Sequence, residues 1–406
     1  MESINIYFFQ PVAIVPNLRC QTTHFRQYVR ILSYAYRTNS LKIGINASHL
    51  NEKPTGIGVF TREICRSVYD LHKDVLVFSS VSVSGVSADL VLRVPQRTQG
   101  SKALSNNLYR TLYLNSMLPL RGRLNKIDIM YCPILEFPMF PLAPLVVTVH
   151  DLQPLMFPSQ FGLSARYFKL SLRLLSRVAS RVTTVSEFVK KELLKATNLR
   201  DDMIDVIPSG YNRELFRPQD PSFKKDFLET YSIRDRYILY VGNLFPYKNV
   251  KLLIDAFLSI RDRLDHYLVI VGKKEHSGES LPCDEKIRYM DYVPHEDLPK
   301  FYAYADLLVH PSLSEGFGFT PLEAMACGTP VLSSNRTSLP EVVGDAGILF
   351  DPTDRSALSS LILRLAGSKT LRGELKEKGF RQCQKFSWQK AAAGLLESCK
   401  KAVNER

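Results

Sequence analysis

The chain has 406 residues, of which 45% are hydrophobic and 23% charged, a globular composition long enough for two domains of about 200 residues each. This composition excludes a disordered or fibrous protein, and no run of about 18 apolar residues predicts a transmembrane helix. The net charge of +13 is uneven: residues 1–200 contain 25 Lys/Arg and 11 Asp/Glu (+14), and the remainder contains 28 and 29 (−1), so the first half is expected to meet an anionic partner.

The start of the chain lacks the features of a secretory leader, because Glu2 stands where a positive charge is expected and Pro11 and Pro16 interrupt the apolar part. Seven scattered cysteines without a C-x-x-C pair predict neither a disulfide framework nor a zinc site. We therefore expect a cytoplasmic protein. Residues 1–40 are an extension of unknown role, and their basic, aromatic segment 25–37 suits either a loosely packed terminus or a helix on a membrane surface.

The first half alternates strands and helices. Short apolar strands are predicted at 42–46, 74–79, 89–94, 128–132, 145–149 and 182–185, with a helix over 102–126. Gly56 and Gly58 follow the first strand and enter a helix, which suits either a ligand loop or a plain tight turn. His150 and Asp151 follow strand 145–149, where open α/β sheets place their ligands; a capping Asp beside a buried His is the alternative.

A predicted helix over 164–181 carries five basic residues, and the last four are spaced by four, so that they form one stripe. They are Arg166, Lys169, Arg173, Arg177 and Arg181. The stripe suits either a solvated face or a contact with anionic lipid headgroups. Nucleic acid is not an expected partner, because no aromatic and basic platform for single strands accompanies the stripe.

The second half repeats the alternation after a connection at 211–235. Strands are predicted at 237–241, 267–271, 289–293, 305–309, 331–334 and 347–350, and helices at 250–260, 297–304, 322–326, 354–380 and 388–403. Lys248 stands just before a helix N-terminus, where a full positive charge adds to the helix dipole. This arrangement suits phosphate oxygens, although a lone Lys is more often a solvated surface residue.

The stretch 313–330 (LSEGFGFTPLEAMACGTP) carries two carboxylates, Glu315 and Glu323, with seven residues between them. Glycines let the backbone approach a ligand, and Pro321 suits the first turn of a helix that runs from Leu322 to Ala326. Free N–H groups at that helix start favour an anionic or polar oxygen group. Each carboxylate is therefore expected to bind a different hydroxyl-bearing part of one ligand.

The alternation predicts an α/β protein made of two doubly wound units whose ligand loops face one cleft. A Lys, helix N-termini, glycine loops and two carboxylates suit a nucleotide diphosphate sugar, because cation and N–H groups bind diphosphate and carboxylates accept hydrogen bonds from hydroxyls. The sequence contains no G-x-x-x-x-G-K-[ST], no G-x-S-x-G and no clustered metal ligands. Neither P-loop chemistry nor a metal site is therefore expected.

The motifs resemble those of the retaining glycosyltransferases of family 4, which have the GT-B fold. The resemblance is dense in the second half (FPYKN at 245–249, EGFGFTPLEAMACGTPV at 315–331, FSW at 386–388) and sparser in the first (TGIGVFTRE at 55–63, VHDLQPL at 149–155). It covers about residues 41–405. It implies an acceptor-binding Rossmann-like domain at 41–210, a nucleotide-sugar-binding domain at 211–385, and a helix at 386–406 that packs back on the first domain.

The resemblance also implies roles for individual residues. Glu323 would bind the ribose, Glu315 the donor sugar and Lys248 the diphosphate, while His150 approaches the sugar. The remaining substrate-binding positions are the loop at Gly56 and Gly58, the backbone of Phe317, Gly318 and Phe319, the base neighbours Tyr292 and Val293, and Asp151 and Asn243. The family requires no cofactor and usually no fixed metal.

Two positions depart from the family pattern. Asn243 stands where many members carry Arg, and Tyr247 stands before Lys248 where the related P-R-K-N motif has Arg. One cation remains where two are expected. Either another arginine, such as Arg336, substitutes, or the donor site is weakened or inactive.

The sequence therefore predicts a retaining glycosyltransferase that moves a hexose, with mannose from GDP-mannose the first choice, to a lipid-linked or polysaccharide acceptor in polysaccharide biosynthesis. Such an enzyme would lie in the cytoplasm or at the cytoplasmic face of the membrane, bound to anionic lipid through its basic first half. The alternatives are a transferase that uses UDP-glucose or UDP-N-acetylglucosamine, and a non-catalytic GT-B subunit that stabilises an active partner.

Overall fold

The computed structural model describes residues 40–52, 56–95, 104–234, 236–274 and 282–405, with the backbone alone at 104–107. The predicted extension over residues 1–39, Pro54 and Thr55 of the first glycine loop, and the start of the helix predicted at 102 lie outside the described residues. Lys42–Arg406 forms one compact unit that contains two parallel sheets.

The first sheet has seven strands in the order β3-β2-β1-β4-β5-β6-β7, all paired in parallel. Most of its residues are buried, because helices cover both faces and the strands are short runs of apolar and β-branched residues. The strands are β1 (Ile43–Asn46), β2 (Val75–Ser79), β3 (Val91–Arg93), β4 (Ile129–Cys132), β5 (Leu145–Val149), β6 (Arg181–Thr184) and β7 (Ile204–Val206).

Helices join these strands. The predicted helix before β4 is continuous but contains a π segment, Tyr113–Met117, between two α-helical parts. The helices of the first half are α1 (Ile57–Leu71), α2 (Leu104–Leu112), α3 (Leu118–Leu124), α4 (Gln153–Met156), α5 (Pro158–Phe161), α6 (Leu163–Val178) and α7 (Glu187–Ala196).

The second sheet has six parallel strands in the order β10-β9-β8-β11-β12-β13. Its carboxyl edge carries the loops with Lys248 and Glu315, because β8 and β11 are neighbours and both loops follow those strands. The strands are β8 (Tyr237–Val241), β9 (Tyr267–Val271), β10 (Ile287–Met290), β11 (Leu307–His310), β12 (Val331–Ser334) and β13 (Ile348–Phe350).

The helices of the second half differ from the prediction at three places. The connection at 211–235 contains a helix, the long helix at 354–380 is two helices divided at Ser368, and the helix after Glu315 begins at Phe319 rather than at Leu322. The helices are α8 (Lys224–Thr230), α9 (Val250–Leu258), α10 (Leu298–Tyr304), α11 (Phe319–Ala326), α12 (Leu339–Val343), α13 (Arg355–Gly367), α14 (Lys369–Cys383) and α15 (Trp388–Asn404).

The last helix, α15, packs on the first sheet, where it contacts α1, β4, β5 and β6.

The predicted basic stripe is wrong at its last residue, because Arg181 is not helical. Arg181 is the first residue of β6, and its guanidinium pairs with the carboxylates of Asp205, at 2.8 Å, and Glu405, at 2.9 Å. This paired cation is buried, whereas the other four basic residues of the stripe lie exposed on α6.

Across the described residues, no helix combines the length and the apolar character that crossing a bilayer requires.

Candidate functional site

The loop between β11 and α11 forms the centre of the candidate site. Gly318 precedes the first helical residue with φ 125°, a conformation that L side chains rarely adopt. The backbone therefore turns sharply into α11, and the N–H groups of its first turn have no partner within the helix. Pro321 is the third helical residue, where its missing N–H costs no intrahelical bond.

Glu315 lies before this turn, and its side chain is only 11% exposed. Lys248 Nζ lies 2.7 Å from its Oε1 and 2.9 Å from its Oε2, and His310 Nε2 donates to Oε1 at 2.8 Å. Burial alone would raise the pKa of Glu315, but attraction to Lys248 and the hydrogen bond from His310 outweigh burial and hold this pKa well below its usual range. The carboxylate is therefore ionised at neutral pH.

The loop that carries Lys248 is fixed by Asn249. This residue adopts a left-handed conformation with φ 56°, which Asn tolerates better than most residues. Its side-chain amide donates to the carbonyl oxygens of Pro311, at 3.2 Å, and Pro352, at 2.9 Å. Asn249 thus joins the loop after β8 to the loop after β11 and keeps Lys248 beside Glu315.

Glu323 lies on α11 in a different environment. It is half-buried, and the Tyr302 hydroxyl donates to its Oε2 at 3.0 Å. Burial raises the pKa of Glu323 to about 8, although the hydrogen bond from Tyr302 opposes this shift. The two carboxylates therefore differ at neutral pH: Glu315 is ionised and Glu323 is mostly protonated.

The loop at 314–316 lies against the carboxyl ends of β5 and β6 of the first sheet. A Cβ atom at Gly316 would lie 1.9 Å from the carbonyl oxygen of His150, so only glycine fits there. Gln153 Nε2 donates to the Ser314 carbonyl at 3.1 Å, and Ser186 Oγ donates to the Gly316 carbonyl at 2.8 Å. The two sheets therefore meet at this loop.

His150 and Asp151 stand at this meeting point. His150 Nε2 donates to the Pro133 carbonyl at 2.7 Å, and the imidazole lies edge-on to Phe60 with the ring centres 4.4 Å apart. Burial lowers the pKa of His150 to about 4, so the ring is neutral at neutral pH. Burial also raises the pKa of Asp151, whose Oδ1 accepts a hydrogen bond from the Gln153 backbone at 3.0 Å.

The structure brings Lys248, Glu315, Gly318, His150 and Asp151 to the edge where the two sheets meet. The rings of Phe317 and Phe319 lie 5.3 Å apart, and they pack on Phe386 and Trp388 respectively.

The other predicted substrate contacts are spread along the carboxyl edges of the two sheets. Gly56, with φ 45°, precedes α1, and Gly58 lies in its first turn. Tyr292, 73% exposed, and the buried Val293 follow β10, which is two strands from β8. The strand predicted at 289–293 is therefore wrong at its end, because β10 stops at Met290.

The two departures from the family pattern have distinct surroundings. Asn243 is exposed, and its carbonyl accepts from the Tyr240 hydroxyl at 3.1 Å. Tyr247 is buried in a stack with Phe245 and with Phe157 and Phe161 of the first half, at centroid distances of 5.4, 5.6 and 6.4 Å. An aromatic contact between the two halves therefore replaces the second cation.

Arg336, the suggested substitute cation, pairs with the Asp351 carboxylate at 3.0 Å on the surface. Several polar residues that support the loop were missed by the sequence reasoning. Thr337 Oγ1 accepts from the Glu315 backbone N–H at 3.0 Å, and Ser338 Oγ lies 2.9 Å from the Glu315 carbonyl and 2.7 Å from the Phe317 carbonyl.

Glu341 links the halves a second time, because its carboxylate accepts from the backbone N–H groups of Glu187 and Phe188 at the start of α7.

The role of His310 was also missed by the sequence reasoning. The available signal was one polar residue at the end of an apolar strand, five positions before Glu315. Among the described residues, no group of three or more His, Cys, Asp or Glu side chains is placed to hold a metal ion.

Two family models match the chain. The model described as "Glycosyl transferases group 1" matches residues 225–382, and the model described as "Glycosyltransferase Family 4" matches residues 54–215. The first match contains Lys248, Glu315 and Glu323, and the second contains His150.

Relatives with assigned names are similar along much of the chain. The O-antigen chain mannosyltransferase B of Escherichia coli is 34% identical over 270 residues, which are 64% of this chain and 71% of that protein. The MMP alpha-(1->4)-mannosyltransferase of Mycolicibacterium hassiacum is 27% identical over 402 residues, 86% of this chain and 95% of that protein. The E. coli serotype-specific mannosyltransferase WbdA is 29% identical over 267 residues, 62% of this chain but only a third (33%) of WbdA.

Solved structures show the same fold. The crystal structure of Anabaena Alr3699/HepE with UDP and glucose superposes with a TM-score of 0.69 at 19% identity, over 89% of this chain and 99% of that one. The glycosyltransferase WaaG superposes with a TM-score of 0.68 at 16% identity, over 88% of this chain and 99% of that one. The two parallel Rossmann-like sheets, the two family models and the 34% identical relative agree, and the chain is therefore a glycosyltransferase that belongs to family 4 and has the GT-B fold.

Proposed function

We propose that this glycosyltransferase transfers mannose from GDP-mannose, with retention of the anomeric configuration, to a lipid-linked or polysaccharide acceptor. The choice of mannose is supported by the relatives above, three of which are named mannosyltransferases. The observation that carries the catalytic proposal is the buried Lys248–Glu315–His310 cluster beside the N-terminus of α11.

Counting hydrogen-bonding groups supports these roles. A carboxylate offers about four acceptor positions and an ammonium three donors. Glu315 accepts three contacts, two from Lys248 and one from His310, so about one position is left for a sugar hydroxyl. Lys248 uses two donors on Glu315 and keeps about one for a phosphate oxygen of the donor.

Glu323 has more acceptor capacity left, because the Tyr302 hydroxyl donates a single hydrogen bond to its carboxyl group. In our proposal its carboxyl group binds the ribose hydroxyls of the nucleotide, while N–H groups from Phe317, Gly318 and Phe319 face the sugar or diphosphate. Gly56 and Gly58 close over the donor phosphates, and Tyr292 and Val293 lie beside the base.

The proposed reaction is a front-face displacement. The bond between the anomeric carbon and the diphosphate oxygen breaks while the acceptor oxygen bonds from the same face, and the acceptor proton passes to the departing diphosphate. Lys248 and the N–H groups of α11 stabilise the leaving charge. His150, neutral at neutral pH, approaches the sugar, and the contact of the halves at Gly316 excludes water. The proposal includes no cofactor and no fixed metal.

A thermal-shift panel of GDP-mannose, UDP-glucose and UDP-N-acetylglucosamine tests the donor. A ligand at about 100 times its Kd stabilises the folded protein by about 2.7 kcal/mol, so GDP-mannose should raise Tm most. A rise in Tm with a UDP-sugar alone would mean that the donor is that UDP-sugar and that the protein is still a transferase. No shift with any donor would favour the non-catalytic subunit, the reading that Asn243 and Tyr247 support by removing one cation.

His310 provides a separate test, because it acts through Glu315. His310→Phe removes the donor to Oε1 and should lower kcat about tenfold, since a hydrogen bond to a charged group contributes about 1.5–3 kcal/mol. His310→Gln places an amide N–H near the position of Nε2 and should restore most of kcat. Equal loss in both variants, measured at matched folded fraction, would mean that His310 supports only packing.

We further propose that the acceptor is reached at a membrane surface, with the enzyme peripheral on the cytoplasmic face and its basic first half toward anionic lipid. Residues 1–200 hold the charge excess of +14 counted above.

A further inference from the structure

The helix before β4 exposes apolar side chains along one face. Leu112 is 58% exposed and Leu124 71%, and the adjoining loop exposes Phe140 to 75%. Isolated exposed leucines are ordinary, but a series of large exposed apolar side chains on one helix and its adjoining loop marks an interaction surface. The series, called here the apolar ridge, consists of Leu108, Leu112, Leu120, Leu124, Phe140 and Leu142.

The loop that carries Phe140 is held against this helix. The backbone N–H of Met139 donates to Asn115 Oδ1 at 2.8 Å. Pro119 and Arg123 of α3 line a cavity of about 110 Å³ together with residues of the loop, among them Pro141 and Leu142. Helix and loop therefore form one surface.

Helix α6 extends this surface. Leu163, Tyr167 and Leu170 are exposed at the spacing of one helix face. Tyr167 lies close enough to Arg110 of α2 to interact with it electrostatically, which places the two helices side by side. The exposed basic residues of α6, among them Lys169 and Arg173, lie on the neighbouring face.

The charge around the apolar ridge is predominantly positive. Between residues 104 and 180 the sequence has eight Lys/Arg and three Asp/Glu, a net charge of +5. None of the three acids neutralises the exposed basic residues of this surface: Asp128 accepts from the Lys42 backbone, Glu136 pairs with Arg110, and Asp151 accepts from the Gln153 backbone at the edge where the sheets meet. If two copies met through this face, the basic residues of both copies would lie close together and repel each other. An anionic bilayer instead offers apolar chains below negatively charged headgroups.

We propose that the apolar ridge inserts into the interfacial region of an anionic membrane while the basic residues of α3 and α6, and the exposed Lys126 just after α3, contact the lipid headgroups. This inference deepens the membrane contact proposed above and rests on it. Arg110, between Leu108 and Leu112, and His150 of the site both act electrostatically on His49. In our proposal, docking through the ridge holds the first half, with His150, at the membrane that contains a lipid-linked acceptor.

The test uses co-sedimentation with vesicles of phosphatidylcholine and phosphatidylglycerol in equal amounts. The triple variant Leu112→Ser, Leu124→Ser and Phe140→Ser should bind at least about tenfold more weakly, because it removes apolar area that the bilayer would bury. The control is Leu71→Ser with Phe223→Ser, which removes apolar side chains elsewhere that are also more than half exposed, at 51% and 59%, and it should bind as the wild type does.

Charge variants complete the test. Each of Lys126→Gln, Lys169→Gln and Arg173→Gln should weaken binding about fivefold, since a basic residue near an anionic surface contributes about 1 kcal/mol. Wild-type protein that ignores the vesicles, or a triple variant that binds as tightly as the wild type, would overturn the proposal. So would sedimentation equilibrium showing a wild-type dimer that the triple variant lacks, because the ridge would then cover a second copy.

Failure here is distinguishable from failure of the proposed transferase. Glu323→Ala should lose transfer but keep vesicle binding. If the triple variant keeps both GDP-mannose-dependent Tm shifts and vesicle binding, the membrane surface alone is wrong and the donor assignment stands.

Discussion

Replacing Lys248 by Ala should lower kcat for sugar transfer by about 10²–10³-fold, the usual effect of removing one preorganised group that stabilises charge in the transition state. The effect should be this large because Asn243 and Tyr247 stand where family members carry arginine, so Lys248 supplies the positive charge of the loop after β8. The variant should also lose about 3 kcal/mol of stability, since Glu315, 11% exposed, would keep its hydrogen bond from His310 but lose the cation that balances its charge. Initial rates below Tm give kcat, and urea unfolding gives the stability change.

Lys251→Ala is the matched control, because Lys251 follows three residues later and forms a surface pair with Asp255. It should change kcat by less than about twofold. The double variant Lys248→Met with Glu315→Gln separates the two effects, since it removes both buried charges. It should regain stability but not activity; recovery of transfer in this variant would show that neither side chain is needed for transfer and would contradict both proposed roles.

Glu323→Gln should change how stability depends on pH. In the folded state the pKa of Glu323 is about 8, against 4.5 for the ordinary group, so the folded protein binds this proton more tightly than the unfolded chain does. Stability from this proton is complete below pH 4.5 and is lost as the pH rises through 8, by up to about 5 kcal/mol at 1.36 kcal/mol per pH unit. The amide cannot ionise, so the variant should be more stable than the wild type above pH 8.

Urea midpoints between pH 5 and 9 measure this difference, with Glu374→Gln as the control because Glu374 is exposed. The control should follow the wild-type curve. Parallel curves for Glu323→Gln and wild type would mean that Glu323 is ionised in the folded protein and that burial does not dominate its environment.

The sequence predicted most of the sheets well. The strands at 237–241, 267–271 and 331–334 have the predicted bounds, because buried parallel strands are short apolar runs ended by glycine or polar residues. The spacing of Glu315 and Glu323 likewise located the central loop. Such features depend on local pattern, which one sequence contains.

The structural features that the sequence did not predict depend mainly on contacts with other parts of the chain. Arg181 continued a four-residue spacing that suits a helix, but Asp205 and Glu405 supply the carboxylates that let it begin a buried strand. Helix α11 begins at Phe319 because Gly318 turns the backbone before Pro321 is reached. His310 donates a hydrogen bond to Glu315 because the fold places the end of β11, where His310 lies, beside the side chain of Glu315 in the loop that follows β11. No local pattern specifies these contacts.

The return of α15 to the first sheet has a consequence for synthesis on the ribosome. Helix α1 lies near the beginning of the described chain and α15 near its end, yet they pack together, and Glu405 neutralises Arg181 across 224 residues of sequence. While the second half is being made, the first half lacks this cover, and Arg181 has its pair with Asp205 but not its pair with Glu405. The final stability of the first half is therefore gained only after residue 405 has left the ribosome, so a chain that terminates within the second half would also have a destabilised first half.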